Sequence, residues 1–278
     1  MSLAPTVSRR SLVGPFICPP NVCTGDYSDN PSKKKSKSKA KRTEFVDMKV
    51  TSFDCQTYIV LASDFMSTKE CLGFIQWGET CGFEECKLKA TRDTAHRQQG
   101  RIAHFDETGR IADVIFSRVR PLVPDTVDGK KPIGCSRNIR MYRYRTGDSF
   151  GKHIDESYTE AMACNTTAAG VCQGVSKFTL LVYLTGEQTA SDGDICACVE
   201  DTCSNDSFNH INDNCTPAVC GGQTNFYKSH SSVWPFIAIP PRAGHVLLHG
   251  HGKRCLTHEG SVVSAGTKYV LRTDVLYA

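Results

Sequence analysis

Arg140-Met141-Tyr142-Arg143-Tyr144-Arg145-Thr146-Gly147-Asp148-Ser149-Phe150-Gly151-Lys152-His153-Ile154-Asp155 reads as two strands about a turn. The run alternates in the manner of a strand up to Tyr144, and Thr146-Gly147-Asp148 is a turn signal that re-aims the chain just before His153. Side chains on a strand repeat every second residue, so His153 and Asp155 can face the same side of a sheet. Four further runs follow: Phe178–Leu184, Gly221–Tyr227, His245–His249 and Lys268–Tyr277. Each is rich in β-branched or aromatic residues and bounded by Gly, Pro or polar turns, as antiparallel strands are.

A third partner for His153 and Asp155 must come from a distant strand. Of the nine histidines, His245, His249, His251 and His258 fall close together downstream, and His258 alone carries the sequence His-Glu-Gly. Two imidazoles and one carboxylate cover one face of an octahedral ion and leave positions open, the ligand set of non-haem Fe(II) oxygenases.

Six motifs then occur in order. They are Tyr144-x-x-Gly147-x-x-Phe150-x-x-His153-x-Asp155, Thr179-Leu180-Leu181-Val182-Tyr183-Leu184, Gly221-Gly222-x-Thr224-x-Phe226, Pro241-x-x-Gly244-x-x-Leu247-x-His249, His258-Glu259-Gly260, and the run from Gly266 to Tyr277. Together they resemble the catalytic domain of the prolyl 4-hydroxylase-like family of Fe(II)/2-oxoglutarate dioxygenases, over residues 135–278. The stretches from Phe65 to Phe83 and from Arg101 to Arg118 resemble the helical region that precedes the barrel in that family.

The resemblance implies a double-stranded β-helix, or jelly roll, with Fe(II) held by His153, Asp155 and His258. It also implies 2-oxoglutarate and O2 as co-substrates, succinate and CO2 as products, and ascorbate as reductant. The remote carboxylate of 2-oxoglutarate needs a buried cation. Lys268 stands ten residues after His258 and follows Gly266-Thr267 as the family lysine does. Arg272, on the same strand face, is the alternative, because a guanidinium grips a carboxylate bidentately. Tyr144 and Tyr183 resemble the tyrosines that reach the two ends of the co-substrate, and Thr224 and Asn225 are candidate pocket residues. The carboxylate of Asp155 favours hydroxylation over halogenation. Phe150 departs from the tyrosine of many prolyl hydroxylases, which leaves the substrate open between a peptidyl, prolyl or small-molecule C–H bond.

The chain of 278 residues is long enough for one sizeable domain with appendages, and no run approaches the length of apolar chain that spans a membrane. Its +4 charge is uneven: residues 1–45 carry nine Lys/Arg against three Asp/Glu, or +6, which leaves −2 for the rest. The globular part is therefore not a basic nucleic-acid platform, and a nucleic acid could be bound only through the tail. Residues 33–42, six lysines and one arginine among small polar residues, are expected to stay disordered as a nuclear-import signal, a polyanion-binding tail or a solvated linker. The extreme N-terminus has no apolar segment of secretory length, so cytoplasm or nucleus is expected, with an organellar presequence as the alternative. Two further functional readings of the same fold are a nucleic-acid-associated demethylase and a catalytically silent scaffold.

Fifteen cysteines cannot all pair internally. Cys196, Cys198, Cys203, Cys215 and Cys220 crowd the stretch 186–220, which separates two expected strands and reads as an insertion at the barrel mouth. A zinc site, disulfides and free thiols all fit that spacing. Upstream, Ser67-Thr68-Lys69-Glu70 is a capping box opening a helix to about Cys81. Asp106–Val119 reads as a second helix with Ile111, Ala112, Ile115 and Val119 as its buried stripe. Helices first and strands afterwards give an α+β fold: a basic tail over 1–44, a supporting region over 45–134, and the barrel over 135–278.

Overall fold

The computed structural model describes residues 7–12, 45–54, 57–91, 95–163, 170–187 and 218–278. The N-terminal half contributes β1 (Val7–Leu12), β2 (Phe45–Asp54), β3 (Ile59–Ala62), α1 (Thr68–Cys81), β4 (Glu84–Leu88), β5 (Arg97–Phe105), α2 (Arg110–Val119) and β6 (Pro132–Cys135). Next come β7 (Asn138–Tyr144), β8 (Ser149–His153), β9 (Thr159–Ala163), β10 (Val171–Tyr183) and the short β11 (Gly186–Glu187). The last part holds β12 (Ala218–Gly221), β13 (Thr224–Tyr227), β14 (Ile237–Ile239), β15 (Val246–Gly250), β16 (Thr257–Gly260), β17 (Val263–Gly266) and β18 (Lys268–Tyr277).

Two antiparallel layers result. One is ordered β15–β10–β18–β7 and is extended beyond β15 by β3, β2 and β1; the other is β8–β16–β13–β14. Tyr183, Leu247 and Val270 of the first layer pack against Phe226 and Ile239 of the second, so the layers face each other across an apolar core. Strand alternation sends the neighbouring residues Leu180, Val182, Leu248 and Leu271 to the opposite face, where they meet Phe74 and Ile75 of α1 and Ile111, Ile115 and Val119 of α2. Each such fully buried side chain stabilises the fold by roughly 1.5–3 kcal/mol relative to exposure. The architecture is the expected α+β one: a double-stranded β-helix whose outer face is buttressed by the two helices.

Local chemistry sets the helix ends. Ser67 and Glu70 form the capping box of α1, and Glu70 then pairs with Arg118 of α2 at 2.7 Å in a buried ion pair that ties the helices together. The second helix starts at Arg110 and not at Asp106, because Gly109 adopts φ +73°. The Asp106 carboxylate instead accepts hydrogen bonds from the Ile111 and Ala112 amides at 2.8 and 3.0 Å, satisfying donors at the helix start.

Some expectations need correction. The first residues of the stretch 101–118 are not helical: Arg97–Phe105 is a strand that pairs with β7 through Gly100–Phe105 and with β8 through Arg97–Gln98, joining the two layers at one edge. Val7–Leu12, inside the expected tail, is a strand against β2. The basic run 33–42 and the cysteines at 196, 198, 203 and 215 lie outside the described residues. Among the described residues no helix is long and apolar enough to cross a membrane.

Candidate active site

The turn between β7 and β8 is fixed by the Arg145 amide donating to Asp148 Oδ2 at 2.8 Å, with Gly147 at φ +90°. It delivers β8 beside β16 in a register that sets His153 directly opposite His258, with ring centroids 4.2 Å apart. Asp155 lies just past the end of β8. Its amide donates to Cys255 Sγ at 3.2 Å and its carbonyl accepts from the Gly252 amide at 2.8 Å, which turns the carboxylate inward. Asp155 Oδ1 is 3.8 Å from His153 Nε2, and Oδ2 is 3.7 Å from His258 Nε2.

The three predicted ligands thus converge, with one donor atom from each mutually within 4.8 Å. Two atoms each about 2.1 Å from one ion sit at most about 4.2 Å apart, so a small contraction closes the set. The ring tautomers suit this role. His153 Nδ1 donates to the Gly151 carbonyl at 2.8 Å and His258 Nδ1 to the Leu256 carbonyl at 2.9 Å; a carbonyl only accepts, so each Nε2 presents its lone pair to the site. Burial pushes His153 down to about 3 and lowers His258 as well, which keeps both imidazoles neutral. Burial alone would raise the Asp155 carboxyl, but opposing charge, led by the Arg272 guanidinium, holds the group ionised, well below the usual range. Neutral imidazole and ionised carboxylate are the forms that bind a divalent metal.

Behind Asp155 lies a hydrogen-bonded layer that the sequence did not single out. Thr179 Oγ1 donates to Asp155 Oδ2 at 2.6 Å, so the 2.6 Å contact between Thr179 and His251 Nε2 requires that nitrogen to donate. His251 Nδ1 then accepts from Ser176 Oγ at 3.0 Å. Arg272 also reaches Asp155 Oδ2, at 3.0 Å, and lies 3.5 Å from Asp274. Of the two candidate cations on β18, Arg272 is therefore the one already paired with carboxylates.

Lys268 is different. It is 4% exposed, its Nζ donates to the Gly222 carbonyl at 2.6 Å, and it stands over the rings of Tyr144 and Tyr183. No described carboxylate pairs with it, and burial alone brings its pKa down to about 7. Gly222 adopts φ +67°, and a Cβ there would meet Lys268 Cδ at 3.0 Å, so the glycine is what lets the ammonium reach the carbonyl. Tyr183 hydrogen-bonds through its hydroxyl to Thr224 at 2.8 Å. Lys268, Tyr144, Thr224, Arg272 and the three metal-ligand candidates all line one cavity. Phe150 stacks on His153 at 3.7 Å and 12°, with Arg97 over its other face at 4.3 Å.

Asn225 does not line that cavity and donates to Glu259, which does, at 3.1 Å. Of the other downstream histidines, His245 faces Arg242 and Asp64, His251 belongs to the layer behind Asp155, and His249 lines the cavity itself. Strand alternation along His245–His249 was the signal for that last placement, since Leu247 and His249 share a face.

Neither a protein-family model nor a curated protein matches the chain. Among solved structures it is similar to a viral collagen prolyl hydroxylase from Paramecium Bursaria Chlorella virus-1 in complex with 2OG: TM-score 0.46, 16% identity, 78% of this chain and 95% of that one. It is also similar to a prolyl hydroxylase from Trichoplax adhaerens in complex with a hypoxia inducible factor peptide fragment: TM-score 0.44, 16% identity, 78% of this chain and 82% of that one.

Proposed function

We propose that the chain is an Fe(II)- and 2-oxoglutarate-dependent dioxygenase that hydroxylates a C–H bond of a peptidyl, prolyl or small-molecule substrate, with ascorbate as reductant. The observation that carries this reading is the pairing, in one cavity, of a His/Asp/His cluster with a buried ammonium that has no carboxylate partner among the described residues. A buried cation without a counter-anion is costly, and a ligand carboxylate is the group that offsets the cost. 2-Oxoglutarate offers a chelating keto acid at one end and a carboxylate at the other, which suits the two halves of the cavity.

His153, Asp155 and His258 would hold the iron, which when bound supplies the O2 chemistry, with succinate and CO2 as by-products. Thr179 and Arg272 fix the Asp155 carboxylate by hydrogen bonds at 2.6 and 3.0 Å, so its free oxygen faces His153. Lys268 binds the remote carboxylate, and Tyr144 and Tyr183 wall the ammonium from water. Phe150, flat against His153, shields that imidazole from the Arg97 side.

The test is anaerobic titration of Fe(II) and 2-oxoglutarate into the full chain while recording visible absorption. A charge-transfer band that needs both additives supports the proposal. No band with both present, in protein that binds the metal, would sink the co-substrate assignment.

A further inference from the structure

β5 crosses from one layer to the other beside the cavity, and its register sets two arginines against the cavity wall. Arg97 stands directly across from Phe150 and Arg101 directly across from Tyr142, both of which line the cavity. Residues opposite one another in an antiparallel pair point to the same face, so both arginines lie on the inward face of the sheet. The Arg97 guanidinium sits 4.3 Å over the Phe150 ring, whose other face stacks on His153. Farther in, Arg140 pairs with Asp274 and Arg272 with Asp155. Neither Arg97 nor Arg101 has a carboxylate partner among the described residues; Glu84, across from Arg101 on β4, makes no ion pair with it.

The same face runs on beyond the metal-ligand cluster. Ala103 and Phe105 follow Arg101 at two-residue steps, opposite Arg140 and Asn138 of β7, and Arg101, Ala103 and Phe105 are all exposed, Phe105 by 59%. The second layer therefore leaves this strip uncovered. It ends in another cavity, lined by Phe105, Arg137, Asn138 and by Glu160 and Met162 of β9; its volume of about 510 Å³ falls within the roughly 300–1,000 Å³ of ligand pockets. Tyr142 borders the first cavity and Asn138 the second, four residues apart on one strand, or about 13 Å. A compact molecule fills one cavity, whereas an extended chain reaches both and directs alternate side chains at the sheet.

We propose that the substrate is an acidic polypeptide segment bound in extended form along the inward face of β5 and β7, with Arg97 and Arg101 pairing to its carboxylates and the second cavity taking a more distant side chain. Calling this segment the substrate rests on the function proposed above; its binding does not. Two guanidiniums without carboxylate partners at the cavity wall favour anionic over neutral or cationic sequences, because the guanidinium fork matches a carboxylate bidentately. Selection of substrate thus falls to β5, a strand that carries none of the three metal-ligand candidates.

The probes are two fluorescein-labelled peptides of about ten residues on one Gly/Ala/Ser frame, one carrying glutamates and the other glutamines at the same positions, titrated into the full chain at about 0.15 M salt with anisotropy as readout. The glutamate peptide should bind the more tightly. Arg97→Gln combined with Arg101→Gln should weaken its binding by about tenfold or more and leave the glutamine peptide within about threefold. The basic run 33–42 is the same in both proteins and so does not enter the comparison. Should the double variant fail to fold, Arg101→Gln alone, at an exposed position, should weaken the glutamate peptide by about threefold. Unchanged glutamate-peptide affinity in the folded variant overturns the proposal, and so does a capped single glutamate that competes as well as the peptide, which would mark a small-anion site. Co(II) titration of the unsubstituted protein separates the two readings. Co(II) bound with no arginine-dependent peptide binding leaves the proposed function standing, whereas arginine-dependent binding in protein that takes up no Co(II) keeps the acidic-peptide site and removes the metal centre.

Discussion

Burial sets the Lys268 ammonium at about 7 against an ordinary 10.5, and this shift has consequences for binding and for stability. Below pH 7 the group is charged in both folded and unfolded chains, so the full burial cost is present. Between about 7 and 10.5 the folded form is neutral while the unfolded form still binds the proton, and the cost declines as pH rises. Replacing Lys268 with Met should therefore stabilise the protein, and the gain should be larger at pH 6 than at pH 9 by about 3 kcal/mol, read from urea unfolding. The same variant should lose 2-oxoglutarate binding, with Lys268→Ala raising the half-saturating concentration well over tenfold. In the unsubstituted protein that concentration should climb above pH 7 by up to tenfold per unit, because a carboxylate needs the charged form. A flat profile would show that Lys268 is not the partner. At Thr179 the expected effect falls on the metal: Thr179→Val removes the hydroxyl that orients Asp155 and should weaken Co(II) binding by about 10–100-fold in calorimetric titration.

At the scale of elements, the buried pair between Glu70 and Arg118 joins α1 to α2 beneath the outer layer. Arg118→Met leaves the Glu70 carboxylate buried without its cation and should cost about 3–5 kcal/mol, whereas Arg118→Met with Glu70→Leu should recover most of that loss. Chemical denaturation of both variants checks this, and equal destabilisation of the two would contradict it. The start of α1 was legible because Ser67 and Glu70 form a local motif, and the α2 stripe was legible because Ile111, Ile115 and Val119 keep helical spacing. β5 was not. Its Gly100 interrupts the strand pattern, and its pairing with β4, β7 and β8 is a tertiary fact that no local period encodes.

For the whole molecule, the convergence of His153, Asp155 and His258 was readable because His153 and Asp155 are close in sequence and His258 carries a distinctive neighbour. The choice between Lys268 and Arg272 was not readable. Both point inward from one strand, and only the placement of that strand shows Arg272 reaching Asp155 while Lys268 reaches Gly222. His249 was hidden for a related reason, since four histidines close in sequence diverge to separate environments once β15 and β16 take their places. The ends of the stretch 188–217 also meet only in the fold: β11 and β12 pair in parallel, with Gly186 beside Ala218 and Glu187 beside Val219. The stretch 188–217 therefore leaves and rejoins the described strands at neighbouring points, so its length need not disturb the strands on either side. Exchanging residues 188–217 for a short Gly/Ser linker should leave Co(II) affinity and 2-oxoglutarate affinity within about threefold, since ordinary loop changes cost little closure entropy. Loss of both would place that cassette among the parts that build the metal pocket. Retention would make it an interchangeable module, free to vary in what it recognises while the chemistry behind it stays the same.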